Sequence, residues 1–351
     1  MSNTSVVRQL SKFSKKRTKR FALINVVVIG IAAIFVSSFF YINSLAITSG
    51  KTQSIIIGNL PLESSALIYV AEKQGFFKLN GLNVTIRNYE NGLTAINALL
   101  NSKVDIAGSS EYPLVGMAFQ NKSIQTISVI NKSELEYLVG RRDHGIENIS
   151  EISGKKIALP QGTIAEFYLG QFLILNNLKM SNVTLVNMTL SQSADALVNG
   201  EVDAIVNWQP YTNSVESSLG SNAVEWSVQS NQQSFGILTC RDEWITKNPE
   251  LVNHLLKALA QAEEFTNNNH VKAKTIVKEQ MNFSDSYMDT VWKQNQFSLS
   301  LDQSLVAALE NEARWMINNN FTNATAVPDF TNNIYLTGLT SVEPESVNIL
   351  R

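Results

Sequence analysis

Residues 193–211 read SADALVNGEVDAIVNWQPY, and residues 95–113, ninety-eight positions earlier, read AINALLNSKVDIAGSSEYP. Superposed, Ala98 falls on Ala196, Leu99 on Leu197, Asn101 on Asn199, Val104 on Val202 and Asp105 on Asp203. Each copy runs from an amphipathic helix end through a small or polar turn (Asn101-Ser102; Asn199-Gly200) to Val-Asp, a short apolar strand and a polar, aromatic loop. A unit present twice implies two similar lobes, each offering a loop at the carboxyl end of a strand. Ligands of open α/β sheets collect in that crevice. The repeat therefore reads as a two-lobed binding protein that closes on a small molecule.

Working outward, Ser54 to Leu60 (SIIIGNL) is a β-branched run of buried-strand type. The loop 61–64 leads into a helix expected from Ser65 to about Lys78, followed by an alternating strand over 82–89. After the first repeat helix come a strand at 104–108, the loop Ser109-Ser110-Glu111 and a short helix from Pro113. Proline suits a first helical turn because its missing N–H would be unpaired there. Strands near 124–130 and 135–140 complete a β-α-β-α-β alternation, which predicts a largely parallel sheet. A second such unit opens with a strand at 154–159 and a turn, Pro160-Gln161-Gly162-Thr163, at the start of a helix over 164–178. A strand at 183–189, the second repeat helix and strands at 202–206 and 234–240 follow. Beyond them the spacing predicts helices over 249–267, through the 270s, over 285–296 and over 302–319, then a polar tail.

The chain of 351 residues has room for about two domains of ordinary size. A net charge of −2 gives no case for nucleic acid as a partner. The lone Cys240 excludes an internal disulfide and a cysteine-built metal site. Residues 1–20 are basic, and 21–42 carry no charge over a length that can cross a bilayer core of roughly 30 Å. Basic residues on the N-terminal side put that end in the cytoplasm and everything after residue 43 outside. A cleaved secretory signal is the competing reading, with Ser44 and Ala46 at the cleavage site. Signal cores usually run about 7–15 residues, so a retained single-pass anchor is our expectation. The Asn-x-Ser/Thr sequons at Asn3, Asn83, Asn121, Asn131, Asn148, Asn182, Asn187, Asn282, Asn320 and Asn323 would suit a surface glycoprotein.

The stretch 55–65, ALLNSKVDIAGSSEYP, ISGKKIALPQGT, GEVDAIVNWQPY and RDEWITKNPELV stand in an order that resembles one family. They are similar to the solute-binding proteins of ABC importers for taurine, aliphatic sulfonates and nitrate, with their relatives that bind thiamine pyrimidine precursors. The resemblance covers about residues 54–335. It implies an α/β, bilobal periplasmic-binding-protein type II fold with two crossover strands. Lobe 1 would be 54–138 plus 238–351 and lobe 2 would be 139–237, after a 43–53 linker. It also implies a small-molecule solute, an ABC permease with its ATPase as partner, a monomer and no cofactor. Many members carry Trp-Asp-Pro where this chain has Trp208-Gln209-Pro210, which removes an acid that could meet an amine. Glu111 stands where small or hydroxyl residues are common.

Candidate ligand-binding residues follow from the loops at the strand ends. Gly162 and Thr163, with Gln161 before them, sit where a strand ends and a helix begins. Unpaired N–H groups there suit an anion, and Thr163 could equally cap its own helix. Ser109 and Ser110 can donate hydroxyls, while Trp208 and Tyr211 can wall the matching end of the other lobe. Gln209, Tyr168 and the loop Leu62-Glu63-Ser64 complete the set. Glu63, Glu111 and Glu166 are the acids near the cleft, with no Lys or Arg in the same loops, so a zwitterion or polar heterocycle is as consistent as an anion. Closure needs strands passing between lobes; 135–141 and 234–240 are the candidates, with Gly140 and Gly236 as hinges. The scattered His144, His254 and His270, and the absence of HExxH, GxSxG or a Gly-rich phosphate loop, argue against an enzyme. A pyrimidine-synthesis enzyme of the same fold is the enzymatic alternative.

Overall fold

The structure, a computed structural model, describes residues 52–350. The basic tail, the apolar run 21–42 and nearly all the linker lie outside the described residues, as does the sequon at Asn3. Among the described residues no helix is long and apolar enough to cross a membrane.

In chain order the strands are β1 (Gln53–Asn59), β2 (Leu82–Asn88), β3 (Ile106–Ser110), β4 (Ile124–Ser133), β5 (Glu136–Arg141), β6 (Lys156–Leu159), β7 (Thr184–Asn187), β8 (Ala204–Trp208), β9 (Ala223–Ser227), β10 (Ser234–Arg241) and β11 (Asn295–Gln296). They form a sheet ordered β11-β4-β10-β3-β1-β2 and another ordered β7-β6-β8-β5-β9. In the first, β1 runs parallel to β2 and β3, and β10 is antiparallel to β3 and β4. In the second, β6 runs parallel to β7 and β8, and β5 is antiparallel to β8 and β9. The plans match over five strands, with β2, β1, β3, β10 and β4 answering to β7, β6, β8, β5 and β9, and β11 is extra in the first sheet. The antiparallel neighbour of each repeat strand, β10 for β3 and β5 for β8, reaches its sheet just after the chain has crossed from the other one.

The repeated residues build this framework. The helices Gly92–Leu100 and Leu190–Asn199 both end with the chain turned into a left-handed conformation, at Ser102 (φ 56°) and Gly200 (φ 77°). The N–H groups of Ser102 and Lys103 close on the carbonyls of Leu99 and Ala98, at 3.0 and 2.9 Å. Those of Gly200 and Glu201 close on Leu197 and Ala196, at 3.1 and 2.9 Å, so the same paired bonds satisfy the last carbonyls of both helices. Asp105 then takes the Ile56 N–H at 2.8 Å, and Asp203 takes the Lys156 N–H at 2.9 Å, pinning each repeat strand to the parallel strand beside it. Arg241 and Arg141, ending β10 and β5, donate to the carbonyls of Leu99 and Leu197, a favourable place for a cation.

Several expectations need correction. The first repeat strand spans 106–110, so Ser109 and Ser110 end the strand instead of lying in a loop. The first helix breaks at Gly75, whose φ of 76° stops one helix and starts another. The helix expected over 285–296 stops at Val291, because Asn295 and Gln296 pair with β4. The strand β9 and the helix Tyr211–Leu219 were not anticipated. Gly140 pairs with Ala204 and Val224, and Gly236 with Ser110 and Asn131, so both expected hinge glycines are held inside ladders. The chain changes sheet over 133–136 and 227–234 instead. Asn131 is 1 % exposed in β4, which removes its sequon from the surface, whereas the other sequon asparagines described are exposed.

The largest apolar core lies around the first sheet, with two smaller ones around the second. Tyr112 and Trp315 belong to a second-sheet core although they arise from elements beside the first. The ring of Trp315 lies edge-on to Phe167, with centroids 5.6 Å apart. A Cβ on Gly170 would stand 2.3 Å from that ring, so only glycine lets the helix Gln303–Asn318 approach the helix Ile164–Leu175 this closely.

Candidate functional site

The carboxyl ends of β3 and β8 border one cavity between the sheets. Its lining includes Leu62, Glu63 and Ser64 after β1, Ser109 and Ser110 of β3, Thr163 and Ile164 after β6, and Trp208 and Gln209 at the end of β8. The enclosed space is about 70 Å³, room for roughly five waters or a solute of similar size. At its floor the helix starting at Gly92 presses against β3; a Cβ on Gly92 would stand 2.6 Å from that of Ser109.

Four lining groups are buried yet have no hydrogen-bond partner: Glu63 Oε1, Ser109 Oγ, Asn131 Oδ1 and Trp208 Nε1. A buried polar atom without a partner costs about 1–3 kcal/mol. These four belong to residues that line one small space, where a bound molecule would be within reach of them.

Two glutamates are among the lining residues. Glu63 is fully buried, and its Oε2 accepts the Tyr287 hydroxyl at 3.1 Å. Burial pushes its pKa up to about 7, against the opposing pull of its own backbone amide and of Tyr287. Glu136, the first residue of β5, is pushed to about 8 by burial, with the charges of Glu111 and Glu63 adding to the rise. The lining contains no Lys, Arg, His or Cys.

Of the residues expected at the site, Leu62, Glu63, Ser64, Ser109, Ser110, Thr163, Trp208 and Gln209 line this cavity. Glu111 and Tyr168 border a different one beside Glu312. Glu111 turns away because its Oε2 accepts the Phe235 N–H at 3.0 Å. Gln161, Gly162 and Tyr211 do not line the cavity. The Gly162 amide, expected to meet an anion, already donates to Glu166 Oε2 at 3.2 Å, so the chain provides its own carboxylate there. Thr163 makes no cap; its hydroxyl donates to the Pro160 carbonyl at 2.6 Å. Gln209 Oε1 accepts the Asn213 N–H at 3.3 Å and thereby steadies the helix after β8.

Sequence reasoning missed Asn131, Ser133, Leu135, Glu136, Ser234 and Phe235 as lining residues, and named Gly236 only as a hinge. All lie at or beside the two passages between sheets. The usable signal was positional: residues where a chain crosses between lobes must border the space between them.

Comparison with known proteins gives a consistent result. The NMT1/THI5-like family matches residues 63–273. A Brucella abortus protein assigned as a binding protein is 22% identical over 234 residues, 64% of this chain and 70% of its own length. The alkanesulfonate-binding protein SsuA from Xanthomonas axonopodis, solved with MOPS bound, superposes with a TM-score of 0.72 at 14% identity, over 82% of this chain and 100% of that one. The desulfurization enzyme DSZB superposes with a TM-score of 0.59 at 14% identity, over 84% of this chain and 99% of that one. The α/β fold is thus that of periplasmic binding proteins.

Proposed function

Because this chain belongs to the NMT1/THI5-like family, we propose that it is the solute-binding component of an ABC importer. It captures a small polar organic or oxyanion solute, of the sulfonate, taurine or nitrate class, between its two sheets. The single observation carrying this reading is the cavity walled by matching strand ends of both sheets, with unpartnered polar atoms from each. A cavity built this way opens when the sheets separate at 133–136 and 227–234, and closes over a solute when they return. The sulfonate-binding name of the Xanthomonas relative supports the solute class. The apolar run 21–42 supports tethering outside the cell, where the captured solute is handed to a permease and its ATPase.

The likeness to a desulfurization enzyme raises a catalytic reading, which the cavity does not favour. Acyl- or sulfinyl-transfer chemistry asks for a nucleophile beside a base. Cys240 is fully buried inside β10, and burial pushes its thiol far up, away from the thiolate form.

The test is a thermal-shift screen of the purified full chain against sulfonates, amines, nitrate and pyrimidines. Stabilisation by one small solute, lost when Trp208 is replaced by Phe, supports capture in this cavity. If no solute raises the melting temperature, the proposal fails.

A further inference from the structure

The cavity has carboxyls and no countercharge. Glu63 and Glu136 both line it, at 0 % and 6 % exposure, and no cationic side chain joins them. The titratable groups acting on Glu63 are Tyr287, which donates to it, and Tyr69 and Glu136, which feel its charge. Those facing Glu136 are Glu63, Glu111, Tyr137 and Tyr168, all acidic or neutral. A buried carboxylate without a partner is costly and becomes favourable only when an opposite charge arrives. The helices starting at Gly92 and Ile164 border the same space, but each start carries only about half a positive charge, less than one carboxylate. Of the unpartnered atoms, Glu63 Oε1 and Asn131 Oδ1 are acceptors, while Ser109 Oγ and Trp208 Nε1 can donate, so the wall offers acceptors to an N–H and donors to the rest of a solute.

We propose that the solute carries a protonated nitrogen, an ammonium or amidinium group, and that Glu63 and Glu136 are the residues that select it. This rests on the solute-capture reading and narrows it. Glu63 Oε1 accepts one N–H of the ligand, and Asn131 Oδ1 stands in the same wall to accept another. The hydroxyls of Ser109 and Ser110 and the Trp208 N–H meet the remainder, which is neutral or bears oxygens. The acid missing from the Trp208-Gln209-Pro210 segment is thereby replaced from other elements: the loop after β1 and the first residue of β5.

The full-length chain is titrated calorimetrically with 2-aminoethanesulfonate, 2-hydroxyethanesulfonate, ethylammonium and acetamidinium between pH 6 and pH 9. The amino sulfonate should bind at least about tenfold more tightly than its hydroxyl counterpart, and the two simple cations should bind as well. Both carboxyls titrate near 7 to 8 in the empty cavity, so cation affinity should rise about tenfold per pH unit below about 7 and level off above about 8. Glu63→Gln and Glu136→Gln should each weaken binding at least about tenfold. If Glu63→Gln does not fold, the second variant and the pH profile of the unaltered chain decide. Equal binding of both sulfonates, tightening as pH falls, overturns the inference and leaves solute capture standing; the carboxyls then serve as neutral donors. Failure of all four compounds to bind overturns the inference, and solute capture falls with it only if the wider thermal-shift screen is also negative.

Discussion

At residues 98–105 and 196–203 the two halves of the molecule are built alike, down to the bonds that end the helix and the aspartate that starts the strand. A few residues later they part: β3 ends in Ser109-Ser110, small and hydroxylated, whereas β8 ends in Asn207-Trp208, amide and aromatic. The shared portion fixes where a strand end stands. The divergent portion decides what that end can touch. Repetition in this chain therefore marks scaffolding, and the residues where it lapses mark the chemistry.

The comparison can be broken or sharpened at several points. The largest effect should come from Trp315→Ala, which empties the place where the helix Gln303–Asn318 docks beside Gly170. A loss of about 3–5 kcal/mol in chemical denaturation is expected. An effect below about 1 kcal/mol would mean that this C-terminal helix is not part of the second core. Next, Asp105→Ala and Asp203→Ala should each cost about 1–3 kcal/mol, since each leaves a strand N–H without its acceptor. The Asp203 variant should lose slightly more, because that carboxylate also holds His144 at 2.9 Å. A cost at one site with none at the other would break the equivalence of the halves.

Smaller still, Trp208→Phe should cost less than about 1.5 kcal/mol of stability yet weaken solute binding measurably, because it keeps the packing and removes the unpartnered N–H. Finally, the melting temperature of the ligand-free chain should fall as pH rises from 5 to 8. Glu63 and Glu136 titrate near 7 and 8 when folded, against an ordinary 4.5, so the folded state holds more protons across that window. Stability drops wherever the folded state binds more protons than the unfolded one, and levels off above the folded values. A flat profile would show that these carboxyls are solvated.

The positions of most strands along the chain were legible because apolar periodicity and the repeat act locally, whereas the largely parallel sheet expected is in fact mixed, with β10 and β5 antiparallel to both their neighbours. Val104 and Val202 are buried at 1 % and 2 %, as their matched positions require. The matching arginines were equally present in the sequence, in LVGR (138–141) and LTCR (238–241), but their role depends on strands that lie apart in sequence. The hinge glycines were named because a glycine in a strand reads as freedom; Gly140 is paired on both sides, and Gly236 is paired on both sides beside a register shift in its ladder. Glu136 carried no local mark at all. Its importance comes from standing where the chain enters the second sheet, across the cavity from Glu63. Gly162 shows the reverse: its N–H was expected to meet a ligand anion, but Glu166, four residues on, accepts it.

The most direct test of solute capture between the two strand ends is hydrogen–deuterium exchange on the full chain, with and without the best-binding compound of the titration panel. Added protection should appear together at Ser109–Ser110, at Trp208–Gln209 and along the passages at 133–136 and 227–234. Protection confined to one half, or lying away from both strand ends, would contradict the account.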